Sequence, residues 1–246
     1  MPTSTHSPGT RSAAFPPTRW SVVLATQESS SRARAALATL CQAYWFPLYA
    51  FLRRQGRTPH DAEDLTQAFF LHLLDRHALQ TVNPAKGRFR SFLLASLKHF
   101  VTDEWEKSRA QKRGGGAVPL SLDLHEAEQS YAAERSAGIH PEEAYERRWA
   151  ISLVERVLAR LEMEFKAARR EHRFAELRVL LTGDPNHVTY AEVGRRLGMT
   201  EGAVKVAVLR LRQRYRELLR AEVANTVATP EEIDDELRYI IELLSR

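Results

Sequence analysis

A single cysteine, Cys41, in 246 residues excludes an internal disulfide and any zinc cluster built on cysteines. No apolar run approaches the roughly 18 residues a membrane span needs, because charge interrupts the longest candidates every few positions. Met1 to Pro17 is rich in Ser, Thr and Pro and has no apolar stretch of the kind a secretory signal carries, so a disordered N-terminal tail is expected there. Runs of alternating apolar and polar residues, the mark of half-buried strands, are nearly missing. These absences point to a cytoplasmic, all-α protein without a membrane anchor, metal or cofactor.

The net charge is +5, and its distribution says more than its size. Pro84 to Arg113 carries eight Lys/Arg against three acids, and Tyr190 to Glu222 carries eight against four. Between them, Gly114 to Glu146 has seven acids and one Arg, and Thr226 to Arg246 has six acids and two Arg. Two basic blocks joined by an acidic connector predict two contact patches for a polyanion.

Apolar spacing of 3.6 residues sets out the helices. Trp20 to Thr26 reads as a short first piece. Ser31 to Gln55 carries a stripe of Leu37, Leu40, Cys41, Tyr44, Leu48, Tyr49 and Leu52, stopped by Gly56. Thr58 as N-cap, Pro59 at the first position and Asp61 in the first turn open a second helix that buries Ala62, Leu65, Phe69, Phe70 and Leu73. A third helix, Arg88 to Lys112, turns Phe89, Phe92, Leu93, Leu97, Phe100 and Val101 inward. Gly114 to Gly116 ends this domain, spanning residues 18–113, and residues 114–140 read as a flexible acidic linker.

A second helical domain spans residues 141–223. It opens with a long helix (Tyr145 to about Arg170), continues with a piece around Phe174 to Leu181, and turns at Gly183 to Asn186. Thr189 and Glu192 form a capping box, and Gly198 supplies the left-handed residue that ends the short helix. Thr200 then caps a long helix to about Ala221, with Val204, Val208, Leu211, Tyr215 and Leu218 inward. Its outer face presents Gly202, Val206, Leu209 and Gln213 beside Lys205, Arg210, Arg212, Arg214 and Arg216. Two capped helices about a glycine turn, the second with a basic outer face, make a helix-turn-helix, which reads DNA in the major groove.

Asp61-Ala62-Glu63-Asp64-Leu65-Thr66-Gln67-Ala68-Phe69-Phe70 resembles region 2.2 of the extracytoplasmic-function (ECF) sigma factors. Phe89 to Leu94, with Asp103 and Lys107 to Arg113, resembles their regions 2.3 and 2.4, and Glu201 to Arg212 is similar to region 4.2. The three follow in family order from about Thr18 to Val223. The resemblance implies a promoter-recognition subunit of bacterial RNA polymerase and not an enzyme: the first domain binds core polymerase and opens the minus-ten element, the second binds the minus-thirty-five element. Asp61, Glu63, Asp64 and Gln67 would then face polymerase as charge-assisted partners of basic helices. Arg88, Arg90, Lys98, Lys107 and Arg109 would hold phosphates, and His99, standing where the family commonly has Asn, would meet an unstacked base. Thr200, Glu201, Gly202, Lys205, Val206, Leu209 and Arg210 would line the major groove. Val206 and Ala207 replace the family's frequent Ser and Arg, which shifts reading toward thymine methyls. Trp105 fits core better than a melting role. Thr66, inside the acidic helix, is a candidate phosphorylation site, and an anti-sigma factor or a protein kinase is a candidate partner.

Two other readings compete. A one-component regulator needs a ligand pocket in the first domain, whose roughly 90 residues are patterned basic rather than pocket-like. A metalloenzyme could use His72, Asp75 and His77, but no catalytic companion follows them.

The tail, residues 224–246, carries one more helix signal. Thr229-Pro230-Glu231-Glu232 repeats the cap logic, and Ile233, Leu237, Ile240, Ile241 and Leu244 fall on one face. A lone helix of about 15 residues is marginal in water, so this face needs a partner surface. Either it masks a binding surface of the same chain or it buttresses the second domain.

Overall fold

The computed structural model describes residues 31–74, 88–110, 124–134, 139–182, 188–227 and 229–245. Every regular element among these residues is helical. The order is α1 (Ser31–Arg54), α2 (Pro59–Leu74), α3 (Phe89–Ala110), α4 (Leu124–Glu134), α5 (Pro141–Ala167), α6 (Glu171–Thr182), α7 (Tyr190–Leu197), α8 (Glu201–Ala224), a 3₁₀ turn at Pro230–Glu232, and α9 (Ile233–Ser245). The chain is all-α, as the periodicity predicts. The expected tail, the piece Trp20 to Thr26, the glycine run at Gly114 and the turn Gly183 to Asn186 lie outside the described residues.

Local signals place the element ends. α1 closes where Gly56 takes a φ of 86° and the Arg57 N–H reaches back to the Leu52 carbonyl at 3.2 Å, so the last carbonyls of the helix are satisfied. Thr58 Oγ1 accepts from the Asp61 N–H at 3.2 Å and starts α2. Of the expected stripes, Tyr44, Leu48, Tyr49 and Leu52 of α1, Ala62, Phe69, Phe70 and Leu73 of α2, and Phe89, Leu93, Leu97 and Phe100 of α3 are buried, Leu65, Phe92 and Val101 are partly buried, and the side chains of Leu37, Leu40 and Cys41 lie outside the described residues. Each buried leucine or phenylalanine among them contributes about 1.5–3 kcal/mol by leaving water.

The two halves do not stand apart. α5 packs along α1, and the buried residues form one continuous core from Ala43 to Leu243, with Trp149 of α5 fully buried within it. Pro47 helps to make this joint. Lacking an N–H, it leaves the Ala43 carbonyl of α1 without its helical donor, and Arg156 of α5 donates to that carbonyl at 3.4 Å. Arg156 also donates to Glu222 of α8 at 3.2 Å. The expected linker likewise contains structure. α4 lies in it and is tied to α1 by Glu128, which accepts from Arg53 at 2.7 and 3.0 Å and from the Tyr49 hydroxyl.

The tail helix is rotated from its predicted face. Ile233, Glu236, Ile240 and Leu243 are buried, while Ile241 and Leu244 point outward. An acid on the inner face displaced the purely apolar stripe, because its partners are arginines. The predicted Thr229 cap is also not formed, since no side-chain cap bond is made and the turn there is 3₁₀.

Candidate nucleic-acid and polymerase interface

The helix-turn-helix is built by its caps. Thr189 Oγ1 accepts from the Glu192 N–H at 3.2 Å while Glu192 accepts from the Thr189 N–H at 2.8 Å, closing the box that starts α7. Gly198 ends α7 at φ 63°, and the Met199 N–H donates to the Gly194 carbonyl at 2.8 Å. Thr200 Oγ1 then accepts from the Ala203 N–H at 3.2 Å to start α8. Val193 of α7 and Val204, Ala207, Val208 and Leu211 of α8 join the core, which fixes the rotation of α8.

That rotation leaves Glu201, Gly202, Lys205, Val206, Leu209 and Arg210 on one exposed face. Val206 and Leu209 are large apolar residues held in water at 49% and 65% exposure, which is a cost unless something covers them. Glu201 accepts from Lys205 at 2.6 Å and holds that ammonium above its ordinary pKa. Arg212 and Arg214, on the flank, are structural. Arg212 donates to the Leu180 carbonyl at 3.0 Å, and Arg214 grips Glu164 of α5 at 2.7 Å.

On α2, Asp61 and Asp64 are exposed, and Glu63 and Gln67 are half-buried and bonded to each other at 3.2 Å. The acidic face is therefore available. Thr66 is not: it is fully buried, and its hydroxyl donates to the Ala62 carbonyl at 2.6 Å. A kinase could not reach it without unfolding the helix, which corrects the phosphorylation expectation.

α3 departs further from expectation. Arg90 is 6% exposed, paired with Glu146 of α5 and Glu236 of α9. Its guanidinium lies 4.3 Å from the Trp149 ring centre and 4.7 Å from that of Tyr239. Arg88 is bound to Glu232 at 2.9 Å and Glu236 at 3.1 Å, and Lys98 to Glu142. In this conformation Arg90 is closed to phosphate, and Arg88 and Lys98 are already engaged. His99 is exposed. The side chains of Trp105, Lys107 and Arg109 lie outside the described residues, as do Asp75 and His77. Among the described residues no cluster of His, Cys, Asp and Glu is arranged to hold a metal, and no helix is long and apolar enough to cross a membrane.

Residues 41–111, from within α1 to just past the end of α3, match the family model of sigma-70 region 2. The segment is similar to the part of sigma-70 factors that binds core RNA polymerase and promoter DNA, and that family is non-catalytic. The match is to that region alone and spans less than a third of the chain. No curated protein and no solved structure matches the chain.

Sequence reasoning missed the acids that cover α3. Glu142, Glu146, Glu232 and Glu236 read as surface charge because their partners lie 44 to 146 residues away. It also missed Gly194, where a Cβ would stand 2.7 Å from the Met199 carbonyl oxygen. The only available signal was a glycine in a short helix.

Proposed function

We propose that this chain is an ECF-type sigma factor, a cytoplasmic subunit that binds core RNA polymerase and directs promoter-specific initiation. The observation that carries this reading is the order of its parts: a segment matching sigma-70 region 2 is followed by a fully capped helix-turn-helix. Asp61, Glu63, Asp64 and Gln67 of α2 form the polymerase-facing surface. The exposed face of α8 enters the major groove upstream, where Val206 and Leu209 meet thymine methyls and Lys205 and Arg210 meet base edges or phosphates. His99 and the basic residues of α3 serve the minus-ten element once α3 is uncovered. An anti-sigma factor would control the chain by covering either face.

Run-off transcription with core polymerase on a promoter library tests this reading. Discrete starts that depend on the chain and share two upstream elements are expected. Absence of any chain-dependent start, with core polymerase active on a control factor, overturns it.

A further inference from the structure

Among the described residues, ion pairs reach the start of α3 from two directions. Glu146 and Glu142 come from α5, while Glu232 and Glu236 come from the C-terminal segment. Arg88 and Arg90 thus sit among three carboxylates, those of Glu146, Glu232 and Glu236, so the local charge on them is more than neutralised. Glu236 is 1% exposed and touches both guanidinium groups. Tyr145 of α5 donates to the Arg90 carbonyl at 3.0 Å, which fixes the backbone at the same point.

We propose that residues 229–245 are an autoinhibitory latch. Their carboxylates occupy the guanidinium groups at the start of α3 that nucleic-acid phosphates would otherwise take, and the latch leaves when the chain engages DNA or polymerase. The proposal rests on the reading of α3 as a DNA-facing helix.

The chemistry of the joint is what separates a latch from a buttress. A buried ion pair adds little net stability over a well-packed apolar contact of the same size, because desolvation offsets the attraction. The supporting ion pairs of this fold, such as Arg53–Glu128 and Arg214–Glu164, stay partly exposed, and a helix needed only for support gains little from a fully buried one. α9 uses Ile233, Ile240 and Leu243 for that purpose, yet it places a glutamate at the centre of its inner face. The guanidinium groups lose little if they exchange carboxylates for phosphates of similar geometry. A helix of this length has little stability once detached, so release would convert it to a loose tail rather than a second rigid body.

The test compares three forms of the protein: the full-length wild type, a chain ending at residue 228, and full-length Glu232→Lys. Glu232 is 40% exposed, so reversing its charge repels Arg88 without disturbing the core. Binding is measured to a fluorescent forked duplex of mixed sequence, and folding is followed by circular dichroism. If closed outweighs open by about ten to one, both variants bind the duplex about tenfold more tightly than the wild type. In parallel, backbone hydrogen exchange of residues 233–245 in the wild type should accelerate on adding core polymerase and the duplex, while α5 stays protected. Folded variants that bind no tighter, or α9 amides equally protected in the free and bound chain, overturn the latch. If truncation unfolds the protein, Glu232→Lys and the exchange experiment decide. If no form binds either polymerase or DNA, the sigma-factor reading has failed and the latch falls with it. Unchanged binding across three competent forms removes the latch alone.

Discussion

Gly194 and Gly202 lie eight residues apart on the two arms of the helix-turn-helix and make opposite demands. At Gly194 an added Cβ would collide with the Met199 carbonyl, the same residue whose N–H closes the turn on Gly194. Gly194→Ala must therefore force the turn open, at a cost of about 1–3 kcal/mol. At Gly202, in the first turn of α8, nothing lies within 4 Å of the added atom. Gly202→Ala should stabilise the fold by up to about 0.5–1 kcal/mol, because glycine is a poor helix former. Urea unfolding of the two variants checks this directly, and equal shifts in one direction would refute the turn geometry. On α2 the corresponding test is Asp64→Lys. Asp64 is exposed, with the His60 ring 3.7 Å away, so its reversal should leave helix content unchanged while weakening capture by core polymerase. A co-purification assay at two salt concentrations reads the loss, which should shrink as salt screens the contact.

Among the elements, what could be read in advance divides by the range of the interaction. Helix ends at Gly56, Thr58, Thr189, Gly198 and Thr200 are set by residues within five positions, and the sequence shows them. The apolar stripes of α1, α2, α3 and α8 were equally legible, because burial follows helical period. α4 was not: its inner face is held by Glu128, whose partners Arg53 and Tyr49 lie 75 and 79 residues away. A glutamate read alone is a surface residue, and only the fold reveals its arginine. The same blindness hid Glu236 and put Ile241 and Leu244 on the inner face of α9, where only Ile233, Leu237 and Ile240 of the expected stripe lie inward. For α4 the dependence is measurable. The Arg53 guanidinium, aided by the Tyr49 hydroxyl, holds the Glu128 carboxyl below its ordinary value of 4.5. A depressed folded pKa gives stability that is present above the unfolded value and is lost as pH falls through the folded one. Docking of α4 should thus be full near neutral pH and weaken progressively below about 4.5. Hydrogen exchange of residues 124–134 between pH 6 and 3 follows it. Glu128→Gln should be loose across that range, with the acid-dependent part gone.

For the whole molecule, charge blocks along the sequence suggested two bodies on a string, and the packing gives one. The reason lies in residues that carry no pattern signal. Trp149 reads as one aromatic on a long helix, yet it is fully buried, with its ring 4.3 Å from the guanidinium of Arg90 of α3, which is itself paired with Glu236 of α9. Arg156 reads as surface charge, yet it bridges α5 to the Ala43 carbonyl left open by Pro47 and to Glu222 of α8. A chain of two independent domains melts in two steps, each with its own midpoint, whereas a continuous core melts in one. The free protein should therefore show a single calorimetric transition whose van't Hoff and calorimetric enthalpies agree. Arg156→Ala removes hydrogen bonds from a charged donor, worth about 1.5–3 kcal/mol each where well buried; the one to the Ala43 carbonyl crosses the joint, and the one to Glu222 lies within the helix-turn-helix half. Its expected signature is decoupling beside a modest loss: the transition broadens or splits. A wild type that already melts in two steps would show that the halves fold independently and that their contact is weak. A variant that shifts to lower temperature as one sharp transition would place the coupling elsewhere, in the apolar contact between α1 and α5 rather than in Arg156.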